Sequence, residues 1–162
     1  METGAVLNAI DRRIRVVESV KDWVEATRQS GSLLLTHGCV EEPYIEKMVE
    51  TCRELGPYIA IMPGLAIPHA RPEDGARKLC LSVVVVRKGV NFGSHNDPVY
   101  VLIAFSTPDK SSHIEVMKQL ANVLLDKGEA LIKELKEALD EEDALRRLTT
   151  ILGVGASQLP SK

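Results

Sequence analysis

Two histidines stand in settings that give an imidazole chemistry to do. The first lies in Pro63-Gly64-Leu65-Ala66-Ile67-Pro68-His69-Ala70-Arg71-Pro72-Glu73-Asp74-Gly75, bracketed by prolines and glycines. Prolines remove backbone donors and restrict the residues before them, so this stretch reads as neither a regular helix nor a central strand but a stiff loop displaying His69. An imidazole with a pKa of about 6.5 is largely neutral near neutral pH and can attack an electrophile without a separate base. The second, His113, follows Ser112, which forms a capping-box signature with Glu115. That spacing puts Ser112 at an N-cap and His113 on the first turn of a helix. A helix N-terminus offers unpaired N–H groups and a partial positive charge to an anion, and His113 adds a side-chain donor there. A neutral nucleophile facing such a tip is the minimum that phosphoryl transfer through a histidine needs.

Other candidates are weaker. Arg71 lies two residues from His69, and a guanidinium can fork onto phosphate oxygens. The competing reading is a solvated charge balancing Glu73 and Asp74. His37 and His95 read as solvent-facing, and His37-x-Cys39 lacks the further ligands a metal needs, so no metal or other cofactor is expected. Cys39, Cys52 and Cys80 are an odd number without a CxxC pair, which suggests reduced thiols in a cytoplasm and no disulfide framework.

The elements that must carry these residues are legible from periodicity. Ser19, placed as a cap with Asp22, precedes Val20, Trp23, Val24 and Thr27, then Leu34 and Leu35, a helical spacing that Gly38 stops. Pro43 opens a second helix with Ile45, Met48, Val49 and Cys52 on one face, ending before Gly56-Pro57. Tyr58 to Ile61 is short and β-prone. Cys80 to Arg87 and Val99 to Phe105 are β-branched runs with little alternation, as expected of strands covered on both faces. The connection from Lys88 to Pro98 is rich in turn formers. A helix is expected from Ser112 to Leu125, then, after Gly128, one segment through Leu131 and Leu139 and another through Ala144 and Ile151. Alternating helices and buried strands predict one α/β domain over 1–152, a mixed central sheet flanked by helices, with a flexible tail over 153–162.

Composition narrows the class. The chain has 162 residues, 44% apolar and 27% charged, with aromatics at 4%, so its core is aliphatic. A net charge of −3 supplies no basic field for nucleic acid. No signal peptide is read at the N-terminus, and the longest apolar runs fall far below the roughly 20 residues that span a bilayer, so the protein is not expected to be membrane-embedded.

Gly64-Leu65-Ala66-Ile67-Pro68-His69-Ala70 resembles the phosphorylated-histidine signature of the enzyme IIA components in the fructose/mannitol superfamily of the bacterial sugar phosphotransferase system. Ser112-His113-Ile114-Glu115-Val116-Met117-Lys118-Gln119-Leu120-Ala121 is similar to the segment carrying that family's second active-site histidine. Gly56-Pro57-Tyr58, Arg71-Pro72-Glu73-Asp74-Gly75 and Asn96-Asp97-Pro98-Val99 look most like the ascorbate branch.

The resemblance implies the mannitol/fructose-type IIA fold and a phosphotransferase without cofactor. His69 would accept a phosphoryl group on Nε2 from the phosphocarrier HPr and pass it to a cysteine of the cognate IIB protein. IIB would then phosphorylate the sugar, L-ascorbate, as membrane IIC imports it. His113 and Ser112 would steady the phosphoryl oxygens. Mannitol-type members add an arginine from the helix before the active loop; here Thr51 occupies roughly its place, leaving Arg53 or Arg71 as the substitute, with Arg71 favoured. Ala70 replaces a glycine frequent after the histidine, which argues against a left-handed backbone there. Leu65 and Ile67 would contribute to an apolar rim for protein partners, although a core reading fits them equally. Two rivals remain: a regulatory phosphohistidine module that signals to a protein instead of feeding a transporter, and a metal-dependent hydrolase using His37, His69 and His113.

Overall fold

The computed structural model describes residues 3–153. In chain order these form α1 (Thr3–Ile10), β1 (Ile14–Val17), α2 (Trp23–Thr36), α3 (Pro43–Leu55), β2 (Ala60–Met62), β3 (Leu65–Ala66), β4 (Cys80–Val90), β5 (Val99–Ser106), α4 (Lys110–Leu135) and α5 (Glu141–Leu152). Short 3-10 turns cover Gly56–Ile59 and Pro72–Asp74.

The two β-branched runs make the middle of the sheet. β4 and β5 pair antiparallel with Val83 opposite Ile103, and β1 joins β4 in parallel. On the other side β3 runs parallel to β5 and β2 closes the edge, giving the order β1-β4-β5-β3-β2. Leu81, Val83 and Val85 turn to a face covered by α1, α4 and α5, while Val84 and Val86 turn to α2 and α3. Each fully buried valine or leucine contributes about 1.5–3 kcal/mol, so the aliphatic sheet is the main source of stability. The single α/β domain with a mixed central sheet agrees with the sequence reading.

The helix ends follow local chemistry. α2 starts after Asp22, which accepts the Glu25 N–H at 3.0 Å, so Ser19 and Val20 stand before the helix and only the second residue of the expected cap serves as one. Pro43 occupies the first turn of α3, where its missing donor costs nothing. Other expectations need correction. α4 begins at Lys110, because Asp109 caps it by accepting from the Ser112 N–H at 2.7 Å. Asp caps as well as Ser does, and here it captures the end one turn earlier. Nor does Gly128 end this helix. A Cβ there would lie 2.7 Å from Met62 Sδ, so the glycine lets α4 pass close over β2 and run on to Leu135. What was read as a separate segment ending at Leu139 is therefore the last turns of α4 plus a connection.

Two elements, α1 and β1, had no counterpart in the sequence reading. The stretch expected to exclude a central strand holds β3, two residues long, between β5 and β2. Cys39 and Cys80, expected as reduced thiols, instead form a disulfide with Cα atoms 6.2 Å apart, because the fold sets the start of β4 beside the connection after α2; Cys52 is the free, buried cysteine. The expected flexible tail lies outside the described residues apart from Gly153, which caps α5.

Candidate active site

Because β3 and β5 are parallel, their C-terminal ends meet at one edge of the sheet, where ligands of open α/β sheets commonly bind. His69 follows β3 and His113 stands on the first turns of α4, after β5. The chain after β3 stays against β5: the Phe105 N–H donates to the Pro68 carbonyl, and His69 bridges Phe105 in parallel register. Equal register turns both side chains to the same face. Their rings stack with centroids 4.6 Å apart and planes 15° off parallel. The His113 ring packs at 5.5 Å from that of His69. The two histidines separated by 44 residues (113 − 69) in the chain thus share one pocket.

His69 is 8% exposed, and its Nδ1 lies 2.7 Å from the Ile67 carbonyl oxygen. A carbonyl accepts and cannot donate, so the proton of the neutral ring sits on Nδ1 and Nε2 keeps a free lone pair. Burial lowers the His69 pKa; the Ile67 bond opposes this and the neighbouring His113 adds to it. Burial and the neighbouring imidazole thus favour the neutral, nucleophilic form over the opposing pull of the Ile67 bond. Burial also lowers the His113 pKa, against a rise from Glu73.

Tyr44 of α3 holds the loop from beneath. Its buried hydroxyl accepts the Ala70 N–H at 3.1 Å and donates to the Phe105 carbonyl at 2.9 Å, joining the His69 strand to β5. Ala70 keeps negative φ, as its side chain requires, while Gly75 closes the segment at φ 122°. Tyr44→Phe is expected to cost about 2 kcal/mol, since it leaves a buried N–H and C=O without their partner. A urea titration would measure it; an unchanged midpoint would remove Tyr44 as the support of the loop.

The other candidates separate. Arg71 is 70% exposed in its side chain, and its guanidinium pairs with Asp74 at 3.5 Å and Glu73 at 3.8 Å, the turn-balancing arrangement. Arg53 lies over the Trp23 ring at 5.5 Å. Ser112 is not the N-cap: its hydroxyl donates to the Asp109 carbonyl and accepts the Asp109 N–H, so it belongs to the cap of α4. Leu65 is wholly buried in β3 and forms no part of a rim. Ile67 lines an apolar groove of about 470 Å³ with Ile61, Met62, Met117, Leu120 and Leu125. Leu125 is 87% exposed there. His37 caps α2 and bonds the Leu33 carbonyl, apart from the histidine pair. Among the described residues, no three His, Cys, Asp or Glu side chains are grouped to hold a metal. Sequence reasoning missed Thr107, whose buried hydroxyl lies 3.2 Å from His113 Nδ1, because a threonine beside a proline reads as turn chemistry.

Comparison with known proteins gives a consistent result. The family described as phosphoenolpyruvate-dependent sugar phosphotransferase system, EIIA 2, matches residues 10–150. The chain is 36% identical over 129 residues to the mannitol-specific cryptic phosphotransferase enzyme IIA component of Escherichia coli K12, covering 80% of this chain and 86% of that one. It is 34% identical over 139 residues to the ascorbate-specific PTS system EIIA component of the same strain, covering 85% and 89%. The IIA chain in the Escherichia coli complex of mannitol enzyme IIA with phosphorylated enzyme IIB superposes with a TM-score of 0.70 at 25% identity, covering 86% of this chain and 95% of that one.

Proposed function

The chain belongs to the type 2 EIIA family of the phosphoenolpyruvate-dependent sugar phosphotransferase system, whose members act as phosphotransferases, and on that premise we propose that it carries the phosphoryl group on Nε2 of His69. The observation that carries this reading is the His69 ring itself, its Nδ1 engaged by the Ile67 carbonyl and its other nitrogen free beside His113. HPr is the donor. The Nε2 lone pair attacks phosphorus as the P–N bond to the donor's phosphohistidine breaks, and the departing electron pair returns to the donor's imidazole. With the donor ring protonated on its second nitrogen it leaves as neutral imidazole, while His69 keeps its Nδ1 proton, so no net proton transfer is required. Catalysis is then in-line positioning and neutralisation of the equatorial oxygens, for which His113 supplies a donor. In the second half-reaction a IIB cysteine thiolate attacks the same phosphorus and His69 leaves.

The apolar groove beside the site, with Ile67, Ile61 and Leu125, supports docking of protein partners. The complex of a related IIA with IIB supports a IIB acceptor, with membrane IIC as its transporter. The carrier works in the cytoplasm, and none of the described helices is long and apolar enough to cross a membrane. The sugar is proposed to be L-ascorbate, on the sequence features above and the ascorbate-specific relatives.

The test is incubation with phosphoenolpyruvate, enzyme I and HPr, followed by intact mass, then addition of purified ascorbate-type or mannitol-type IIB. Gain of one acid-labile phosphoryl group that drains faster to the ascorbate-type IIB is the expected result; no gain rejects the carrier reading, and faster draining to the mannitol-type IIB rejects the sugar. Because the His69 pKa lies below its usual value of about 6.5, the nucleophile stays neutral as pH falls through that value. Acceptance is therefore expected to hold its plateau down through about pH 6.5 and to fall only under it. A pH–rate profile, with the donor's own titration measured separately, checks this.

A further inference from the structure

His69 and His113 need opposite protonation patterns for the reaction proposed above, and the inference that follows rests on that reading. The nucleophile must have a bare Nε2, whereas a ring that steadies phosphoryl oxygens must present an N–H. Burial keeps both rings neutral near neutral pH, so each has a single proton to place. Two identical side chains in one pocket can differ only through what their second nitrogens meet. For His69 that partner is the Ile67 carbonyl, a pure acceptor, which draws the proton to Nδ1.

For His113 the partner is the Thr107 hydroxyl, 3.2 Å from Nδ1. Thr107 is 1% exposed, at the end of β5 where the chain turns into α4. A buried hydroxyl proton needs an acceptor, and Nδ1 of His113 is within its reach. If Nδ1 carried the proton instead, it would be spent on Thr107 and the hydroxyl proton would need another home. We propose that Thr107 is a positioning residue of phosphoryl transfer: its hydroxyl donates to His113 Nδ1 and so keeps the ring proton on Nε2, the nitrogen left for the phosphoryl oxygens. One pocket then holds a histidine protonated on Nδ1 beside one protonated on Nε2, a nucleophile and a donor set apart by a carbonyl and a hydroxyl. The titratable groups facing His113 are His69 from the segment after β3 and Glu73 from the turn beyond it; Asp109 is the cap at the foot of its own helix.

The experiment combines two-bond proton–nitrogen NMR of the imidazoles in the unphosphorylated protein with rates of phosphoryl acceptance for wild type, Thr107→Val and Thr107→Ser. The His113 signal is identified by its loss in His113→Gln. In wild type His113 is expected in the Nε2–H form, and Thr107→Val, which keeps the shape without the hydroxyl, should shift it to a mixture of tautomers. Acceptance by that variant should fall about tenfold at mildly alkaline pH, a partial loss of one donor to the transition state. The deficit should shrink toward none in acid, where imidazolium carries protons on both nitrogens. Thr107→Ser should behave as wild type. An Nδ1–H His113 in wild type, an unchanged tautomer in Thr107→Val, a deficit that does not depend on pH, or failure of Thr107→Ser to restore the rate would each overturn the proposal. A wild-type protein that accepts no phosphoryl group would reject the carrier reading, while the NMR comparison would still decide whether Thr107 fixes the ring.

Discussion

His69→Ala is expected to reduce phosphoryl acceptance at least about 10⁴-fold, to the background of the assay. The removed group is the nucleophile, and no positioned neighbour replaces its lone pair. His113 lies close, but it stands on α4 and its own Nδ1 is taken up by Thr107. Truncation also deletes the ring stacked on Phe105 and the bond to the Ile67 carbonyl, so some stability is lost with the chemistry. His69→Gln separates the two effects, since its amide can still donate to that carbonyl but has no ring nitrogen to phosphorylate. Intact mass after incubation with phosphoenolpyruvate, enzyme I and HPr reads the result. Either variant taking up label at a comparable rate would move the phosphorylation site elsewhere.

Reduction of the Cys39–Cys80 disulfide is expected to lower the unfolding free energy by about 4 kcal/mol, the chain entropy returned to the unfolded state when a loop of about forty residues is opened. The bridge ties the connection between α2 and α3 to the first residue of β4. Around it the Arg77 and Lys78 N–H groups donate to the Cys39 carbonyl, and Glu41 donates to Gly75. These backbone bonds keep the native geometry after reduction, so the change falls mainly on the denatured ensemble. Guanidinium titrations with and without dithiothreitol measure it. Cys52 adds no competing signal, because burial pushes its thiol up to about 11 and keeps it inert. Coincident titration curves would mean that the two sulfurs are not bonded in the purified protein.

How far the sequence foretold this molecule depended on whether a feature was local. α2 and α3 were legible because their apolar spacing runs three turns or more and Pro43 marks the start of α3, although Ser19 drew the expected start of α2 three residues ahead of its cap, Asp22. β4 and β5 were legible because strands covered on both faces must be continuously apolar. α1 and β1 span eight and four residues, too short for a periodic signal, and β1 is fixed by pairing with a strand some seventy residues on, Ile14 against Val83. The two histidines were visible through the loop and helix start that flank them. Their closeness was not, since it follows from β3 lying parallel to β5. Ser112 was mistaken for the cap because two good caps stand three residues apart, and the earlier, Asp109, takes the Ser112 N–H while Ser112 answers it from inside the helix. The disulfide was invisible because it joins parts of the chain that no spacing rule connects, and Thr107 because a threonine before a proline reads as turn chemistry.

The disulfide has a topological consequence. It closes residues 39–80 into a covalent ring that contains α3, Tyr44, β3 and His69. His113 and Thr107 belong to the open chain outside it. The two halves of the site are therefore carried by two differently constrained bodies that meet along the seam between β3 and β5. Only two ladder pairs, Leu65 with Val101 and Ala66 with Leu102, form that seam in regular register, extended by the bonds from Phe105 to Pro68 and from Tyr44 to Phe105. The spacing of the two imidazoles is set across this seam, by these few bonds and by the core around them, where Leu65 and Ile67 of the ring pack with Leu120 and Leu124 of α4.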